Sequence, residues 1–574
     1  MPESTVLATR PVEATPVPPP AVGRRVPEWL RALAPVLAGT ALIAWHGSRF
    51  GHWIVDDAAI TFAYARNVAE GNGPVLQPGA DPTEGFSNPS WLALLSLGRL
   101  IGLFDHGTIL GVPDYVLFPK ALALLCCAGL LAACHLAARR VTRLPGLVTL
   151  ATGALLAANP SFVIWCLSGL ENALFALAVT ALAATLFSAV CADRDGRLTA
   201  PRTALAAGGL AALAALTRPD GLVYVAAYPG TLLLLAHRGS LGASARAALI
   251  SVATFAVPFG GYLAWRSVRF GELLSLPALA KNQDLPELAD LARTGDLVSY
   301  VGAPAAITAA VLVGAALMRP SPLRAGLVPL LVTGGLAAIA YAVLKDDWMG
   351  QLRFATPVWA VGAFTAALAG AAVLRHLATR ARAVLVAVLA LALAVSGSLF
   401  ATASQEFRAS PTVAMCGVAE RFGRTFNAYA GVLGVERGSL ALPDVGGTAL
   451  TSRLDVVDLA GLTHARIAGF WSHRDWAGLR DYLYEEARPT FLHAHGFWSR
   501  RTGVLRDERL RRDYVPVVPR AGGAEDWVRR DAVPGPAALA RLRDYARDLS
   551  LSVPPRGHCG AVLRPGQLPR YAVN

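Results

Sequence analysis

The residues with the greatest chemical potential come early in the chain. Trp53-Ile54-Val55-Asp56-Asp57-Ala58 sets two carboxylates side by side, a few residues beyond an apolar block. Adjacent acids repel each other, which raises the proton affinity of one and suits it to general-base work. Beside a bilayer such a pair is costly unless solvated or used, although a solvated loop often begins with the same dipeptide. Three cations are candidates to steady an anionic oxygen: Arg218, Lys281 and Arg353, and Lys281 is one of only three lysines in the chain. Glu84, Asn88, Trp91, Glu171 and Asp220 offer groups that could orient a substrate. Each also has an ordinary structural reading, as an arginine reaching up to headgroups or an acid capping a helix. The run from Phe470 to Trp498 is rich in aromatics and histidines, and core packing accounts for it better than a sugar-stacking surface does. HExxH and paired CxxC spacings are absent, so no metal site is expected.

The elements that must hold these groups are membrane helices. Of 574 residues, 54% are hydrophobic and 16% charged, where a soluble chain carries about 25% charged residues. Apolar blocks such as Ala247–Trp265, Gly326–Leu344 and Ala355–Leu374 reach or approach the length of about 20 residues that crosses a bilayer. Residues 1–28 are polar and Pro-rich and read as a disordered cytoplasmic tail. Trp29–Gly47 is the first expected span, and the polar, Gly/Pro-punctuated stretch 48–88 reads as a functional loop. Within that loop, Ile60–Ala69 has the spacing of an amphipathic helix lying at the interface, with Arg66 and Asn67 stabilising it.

The net charge is +13. Its arginine clusters, including Arg24/Arg25/Arg31, Arg139/Arg140/Arg143, Arg319/Arg324 and Arg375/Arg380/Arg382, fit a positive-inside bias. No basic patch with interleaved aromatics stands out, so nucleic acid is not an expected partner. The charge pattern predicts about 11 spans over 29–404, with one block between Trp91 and Leu136 re-entrant or interfacial. It puts the N-terminus in the cytoplasm, and the loop 48–88 and everything after about residue 404 outside. Residues 405–574 read as an exoplasmic α/β domain of ordinary size. Cys416 and Cys559, its only cysteines, are a disulfide candidate in an oxidising compartment.

The motifs in order carry a resemblance. W-x-x-D-D-A-x-I at Trp53–Ile60, Y-A-R-N-x-A-E-G-N-G at Tyr64–Gly73 and E-G-F-S-N-P-x-W at Glu84–Trp91 resemble the first exoplasmic loop of glycosyltransferase C (GT-C) enzymes that use polyprenyl-phosphate sugars. The likeness continues in Ser168–Glu171, Thr217–Gly221, Phe270–Leu274 with Ala280-Lys281, Met349-Gly350, Asp444–Gly447 and Val457–Leu462. It is strongest to the arabinofuranosyltransferases that finish the actinobacterial cell-wall arabinan, and an Ala- and Arg-rich composition agrees with a GC-rich bacterial source. The resemblance implies an all-α polytopic membrane domain with the exoplasmic domain appended. It implies transfer of a sugar, arabinofuranose favoured, from a polyprenyl-phosphate donor to a cell-envelope polysaccharide on the outer face of the plasma membrane. It places the base at the first-loop aspartates, Asp56 ahead of Asp57, with inversion by single displacement. A single phosphodiester charge can be met by one or two cations, so no metal cofactor is required. The alternatives are a mannosyl or other sugar transferase of the same fold, or a flippase for lipid-linked sugars. Absence of a clear internal repeat weighs against a transporter.

Overall fold

The computed structural model describes residues 28–570 except 193–195, 282, 284, 346, 520–524, 550–552 and 554–556. The tail expected over 1–28 therefore lies outside the described residues apart from Glu28. Helices build nearly everything up to Ala409, because long apolar runs must satisfy their backbone groups internally. Among the described residues six are long and apolar enough to cross a membrane: Asp114–Ala138, Asn172–Cys191, Leu241–Phe270, Pro322–Val343, Arg353–His376 and Thr379–Ala409. Two bent pairs would bring the count to eight. The first breaks at Asn159, where Pro160 starts a new helix after an 83° bend, and the second turns through 105° at Gly302.

Six to eight pass by length and composition among the described residues, against the about 11 expected, and the shorter apolar helix Ala32–Ser48 lies where the first span was expected. The sequence count treats each apolar block as a span, whereas Pro and Gly break some blocks and others are simply short. Pro89–Leu100 has 12 residues, which rise only about 18 Å. This is the block before Asp114 that resisted assignment as a crossing.

The first-loop helix runs Asp56–Ala69. Asp56 and Asp57 occupy its first turn, where carboxylates complement the helix dipole, and Gly71 at φ +83° helps turn the chain away beyond it. An interfacial helix would expose one face. Instead every residue from Asp56 to Asn67 except Asp57 is buried, because the membrane helices pack on one side and the C-terminal domain on the other. Arg66 forms an ion pair with Asp105 at 2.6 Å and donates to the carbonyls of Leu450 and Leu563. It therefore ties the loop to the far end of the chain, and Asn67 closes the loop locally onto Ala63 and Leu76.

After Met415 the apolar runs give way to a five-stranded sheet flanked by helices. Its strands are β1 (Ser439–Leu442), β2 (Asp455–Asp458), β3 (Phe491–Ala494), β4 (Tyr514–Pro519) and β5 (Glu525–Arg529). The order across the sheet is β2-β1-β3-β5-β4; the first three strands are parallel and the last two antiparallel. Period-2 alternation sends Leu440 and Phe491 into one core with Phe426 and Leu542. It sends Ala441 and Leu492 into another with Ile467 and Leu479.

A short antiparallel bridge of two hydrogen bonds seats this domain on the loop. Val55 pairs with Ala414 in an antiparallel bridge, and the Asp56 amide donates to Val413 at 3.0 Å. The Met415 amide returns a bond to Ile54 at 3.0 Å. Cys416 and Cys559 form a disulfide that closes the domain's start onto its end.

Candidate active site

The loop motifs supply the scaffold. The Val55 amide donates to the Ser168 carbonyl at 3.0 Å, and Trp91, fully buried, donates from Nε1 to the Gly169 carbonyl at 3.0 Å. Gly169 has φ +92°, and a Cβ there would sit 2.9 Å from Ile54 and 3.1 Å from Ala58. The motif Ser168–Glu171 thus needs its glycine so that the loop helix can lie against it. Gly85 is similarly pressed by the Tyr64 hydroxyl, whose ring meets Phe86 edge to face.

Two carboxylates that look equivalent in sequence have different surroundings. Asp56 is 6% exposed and accepts from the amides of Gly446 at 3.2 Å and Gly447 at 2.7 Å. Burial holds its carboxyl well above the ordinary range, the Gly447 amide opposes that, and Asp444 and Asp57 add to the rise. Asp57 is half-buried, and among the described residues no hydrogen bond or ion pair engages its carboxylate. Burial raises this group too; Lys281 and Arg353 pull it back, while Asp347 and Glu171 push it up.

These influences identify the cluster. Lys281 ends the short helix Leu276–Lys281. It is exposed, and no ion-pair partner lies within 4 Å of it among the described residues. Desolvation lowers its ammonium below the usual range, aided by Arg353 and opposed by Asp57 and Asp347. Arg353 is 6% exposed, ion-paired with Asp347 at 2.6 Å, and its guanidinium lies 4.8 Å from the Phe354 ring. It is presented by a backbone turn in which Gly350, Gln351 and Leu352 all have positive φ. The Gln351 carbonyl accepts from Trp165 at 3.0 Å, which helps hold that uncommon conformation.

Arg218 is already committed: Glu171 lies 3.0 Å away and Asp220 2.9 Å. Asn88 donates to the other Glu171 oxygen at 2.7 Å, extending a buried chain Asn88–Glu171–Arg218–Asp220 behind Asp57. The Glu84 carbonyl accepts from the Leu276 amide at 3.1 Å, at the start of the helix that ends in Lys281. Glu84 is 2% exposed, pairs with Arg266 and accepts from Tyr262, fastening the loop to the Leu241–Phe270 helix.

Asp57, Lys281, Arg353 and Glu171 lie within electrostatic reach of one another, Glu171 is bonded into Arg218, Asp220 and Asn88, Trp91 supports them through Gly169, and Glu84 anchors the loop. Sequence reading missed Asp347, whose only local signal is its place before Met349-Gly350. It also missed Arg266 and Tyr262, which sit inside an apolar span. A second cluster lies beyond the Gly446-Gly447 amides, where Asp444 joins His493 and His495 with one ligand atom of each within 4.8 Å. No consecutive spacing could reveal it, since Asp444 arrives from another strand. Most of the aromatics near it do pack: Trp471 is 7% exposed and meets Trp476, Trp498 and Phe497.

No protein-family model matches the chain, and no curated protein matches it. Solved structures do. ArnT from Cupriavidus metallidurans in the apo state superposes with a TM-score of 0.53 at 15% identity, over 88% of this chain and 99% of that one. The same protein bound to undecaprenyl phosphate gives a TM-score of 0.52 at 14% identity, over the same shares. Arabinofuranosyltransferase AftD from Mycobacteria is similar at a TM-score of 0.45 and 17% identity, over 87% of this chain and 40% of that one. This chain therefore shares its fold with ArnT, and a GT-C fold is what the ordered motifs led one to expect.

Proposed function

We propose that the protein is a membrane glycosyltransferase that moves a sugar from a polyprenyl-phosphate donor to a cell-envelope glycan on the outer face of the membrane. The observation that carries this reading is the meeting of an unengaged carboxylate, Asp57, with the Lys281 ammonium and the Arg353 guanidinium beside the first loop of a GT-C fold. A glycosyl transfer needs a base for the acceptor hydroxyl and positive charge for the departing phosphate. We assign the base to Asp57. This reverses the order expected from sequence, because both oxygens of Asp56 are taken up by backbone amides. The single displacement would invert the anomeric carbon.

Lys281 and Arg353 are the phosphate partners in this reading, and Arg218 is a positioning residue because two carboxylates already neutralise it. Glu171 and Asn88 lie bonded to each other beside the cluster, Asp220 holds Arg218, and Glu84 holds the loop. Arabinofuranose remains the favoured sugar on the sequence motifs, with mannose the second choice. The outer-face orientation is supported by the arginine clusters between spans and by the Cys416–Cys559 disulfide.

The test is direct. Purified protein in detergent is given radiolabelled polyprenyl-phosphate arabinose or mannose with an oligosaccharide acceptor, and transfer is followed by chromatography. Transfer by the native chain that vanishes in Asp57→Asn is the expected result. Undiminished transfer by Asp57→Asn would remove the base assignment. No transfer from any lipid-linked donor, together with scrambling of that lipid in vesicles, would favour the flippase.

A further inference from the structure

The second cluster is not used by the reading above. His493 lies in β3 and His495 just beyond it, two residues apart and so on the same side of the strand. Asp444 follows β1, the parallel neighbour of β3, so both chains leave the sheet at the same edge. Ligand sites in α/β sheets favour the carboxyl ends of parallel strands. The imidazole rings lie 5.3 Å apart, and His495 Nε2 is 2.6 Å from Asp444 Oδ2.

His493 is oriented as a metal ligand would be. Its Nδ1 is 2.7 Å from Asp526 Oδ1 on β5, the residue paired with it in register. Both side chains are 1% exposed, and the Tyr429 hydroxyl donates to the other Asp526 oxygen at 3.3 Å. A carboxylate on one ring nitrogen fixes the tautomer and leaves the other as the donor, so His493 offers Nε2. Two imidazoles and a carboxylate form a set that suits zinc and leaves one position open.

The cluster also touches the catalytic loop. The Asp444 carbonyl accepts from the Thr448 hydroxyl at 2.7 Å, and the amides between them are those that hold Asp56. We propose that Asp444, His493 and His495 bind a divalent transition metal of the zinc class, and that the metal clamps the ends of β1 and β3 and so steadies the Gly446-Gly447 amides against Asp56.

The experiment uses the full chain in detergent, purified without a histidine tag, stripped with chelator and titrated with zinc alone. Zinc retained after gel filtration is measured by elemental mass spectrometry. The native chain is expected to hold about one zinc, and His495→Ala and Asp444→Ala to lose it. Both positions are partly exposed, so these variants should fold, and elution volume checks that they do. Cobalt substitution should give visible ligand-field bands in the native chain only. Zinc should also slow amide exchange of the peptide spanning 443–451 in the native chain and not in His495→Ala. A native chain that holds no zinc, or variants that hold as much as it does, would reduce the cluster to a His495–Asp444 ion pair and overturn the site. Stoichiometric zinc with unchanged exchange would overturn the clamp. Neither outcome bears on whether Asp57 is the base, which the transfer assay decides.

Discussion

Neighbouring aspartates are separated in role by what faces them. An unengaged Asp57 can take a proton, and removing a positioned base costs about 10²–10⁴-fold in rate. Asp57→Asn should therefore lower kcat by that order with the thermal midpoint little changed. Asp56→Asn should do the converse: its amide nitrogen would face a backbone N–H, and loss of a buried bond costs about 1–3 kcal/mol, read as a lower midpoint. The pH profile follows from the raised Asp57 carboxyl. The base works when ionised, so kcat/KM should climb as pH passes through a value above the ordinary carboxylate range of about 4. Lys281 favours the ionised form; Lys281→Ala should move that limb to higher pH and raise KM for the donor, with Lys281→Arg recovering part of both. A limb that stays put in Lys281→Ala would separate the lysine from the carboxylate. For stability the sign is opposite: a buried acid with a raised value is best tolerated when neutral, so its contribution is present at low pH and lost as pH rises through that value.

At the scale of elements, the site depends on a six-residue helix from a distant part of the chain, Gly446–Thr451, reaching the loop helix. A Cβ on Gly446 would stand 2.0 Å from the Asp56 carbonyl oxygen, and one on Gly447 2.3 Å from the Met415 carbonyl. Both obstacles are backbone and cannot turn aside, so Gly446→Ala should unseat the domain from the loop, lowering both thermal midpoint and transfer. A Gly446→Ala chain with native activity would show that this contact is dispensable. The same scale explains what was legible in the sequence. Long apolar blocks, the polar loop and the DD pair are local features, and local features carry periodicity and spacing. The unequal surroundings of Asp56 and Asp57 arise from amides 390 and 391 positions away, which no local pattern encodes. The loop helix misled for a related reason: an apolar stripe has one appearance whether lipid or a second domain covers the rest. Asp458 in the Val457–Leu462 motif shows the reverse case, where spacing was meaningful and its use is structural. Its carboxylate accepts from the amides of Ala460 and Thr463 and from the Thr463 hydroxyl, shaping the turn after β2.

Across the whole molecule, the C-terminal domain acts as part of the site. It supplies the amides on Asp56, and its Ala465–His473 helix packs on the short helix that ends in Lys281. The placing of Asp56 and of the helix that ends in Lys281 thus both depend on how this domain is held over the membrane helices. The chain itself enters it at Met415, and within it the Cys416–Cys559 disulfide, which spans 143 residues, closes its start onto its end. Closing a loop of that length removes conformational freedom from the unfolded chain worth about 5 kcal/mol in the loop-entropy account. Native contacts such as Arg66 with the Leu563 carbonyl and Asp105 with the Leu563 amide keep the C-terminal segment close even without the bond. Cys416→Ser with Cys559→Ser should therefore lower the thermal midpoint of the C-terminal domain by several degrees, reduce transfer at elevated temperature, and leave transfer in the cold nearly intact. The bond itself is checked by peptide mass mapping without reductant, which should recover 416 and 559 in one linked peptide. Recovery of both as free thiols from protein isolated from its native envelope would mean that the domain matures in a reducing compartment, and the outer-face orientation would fall with it.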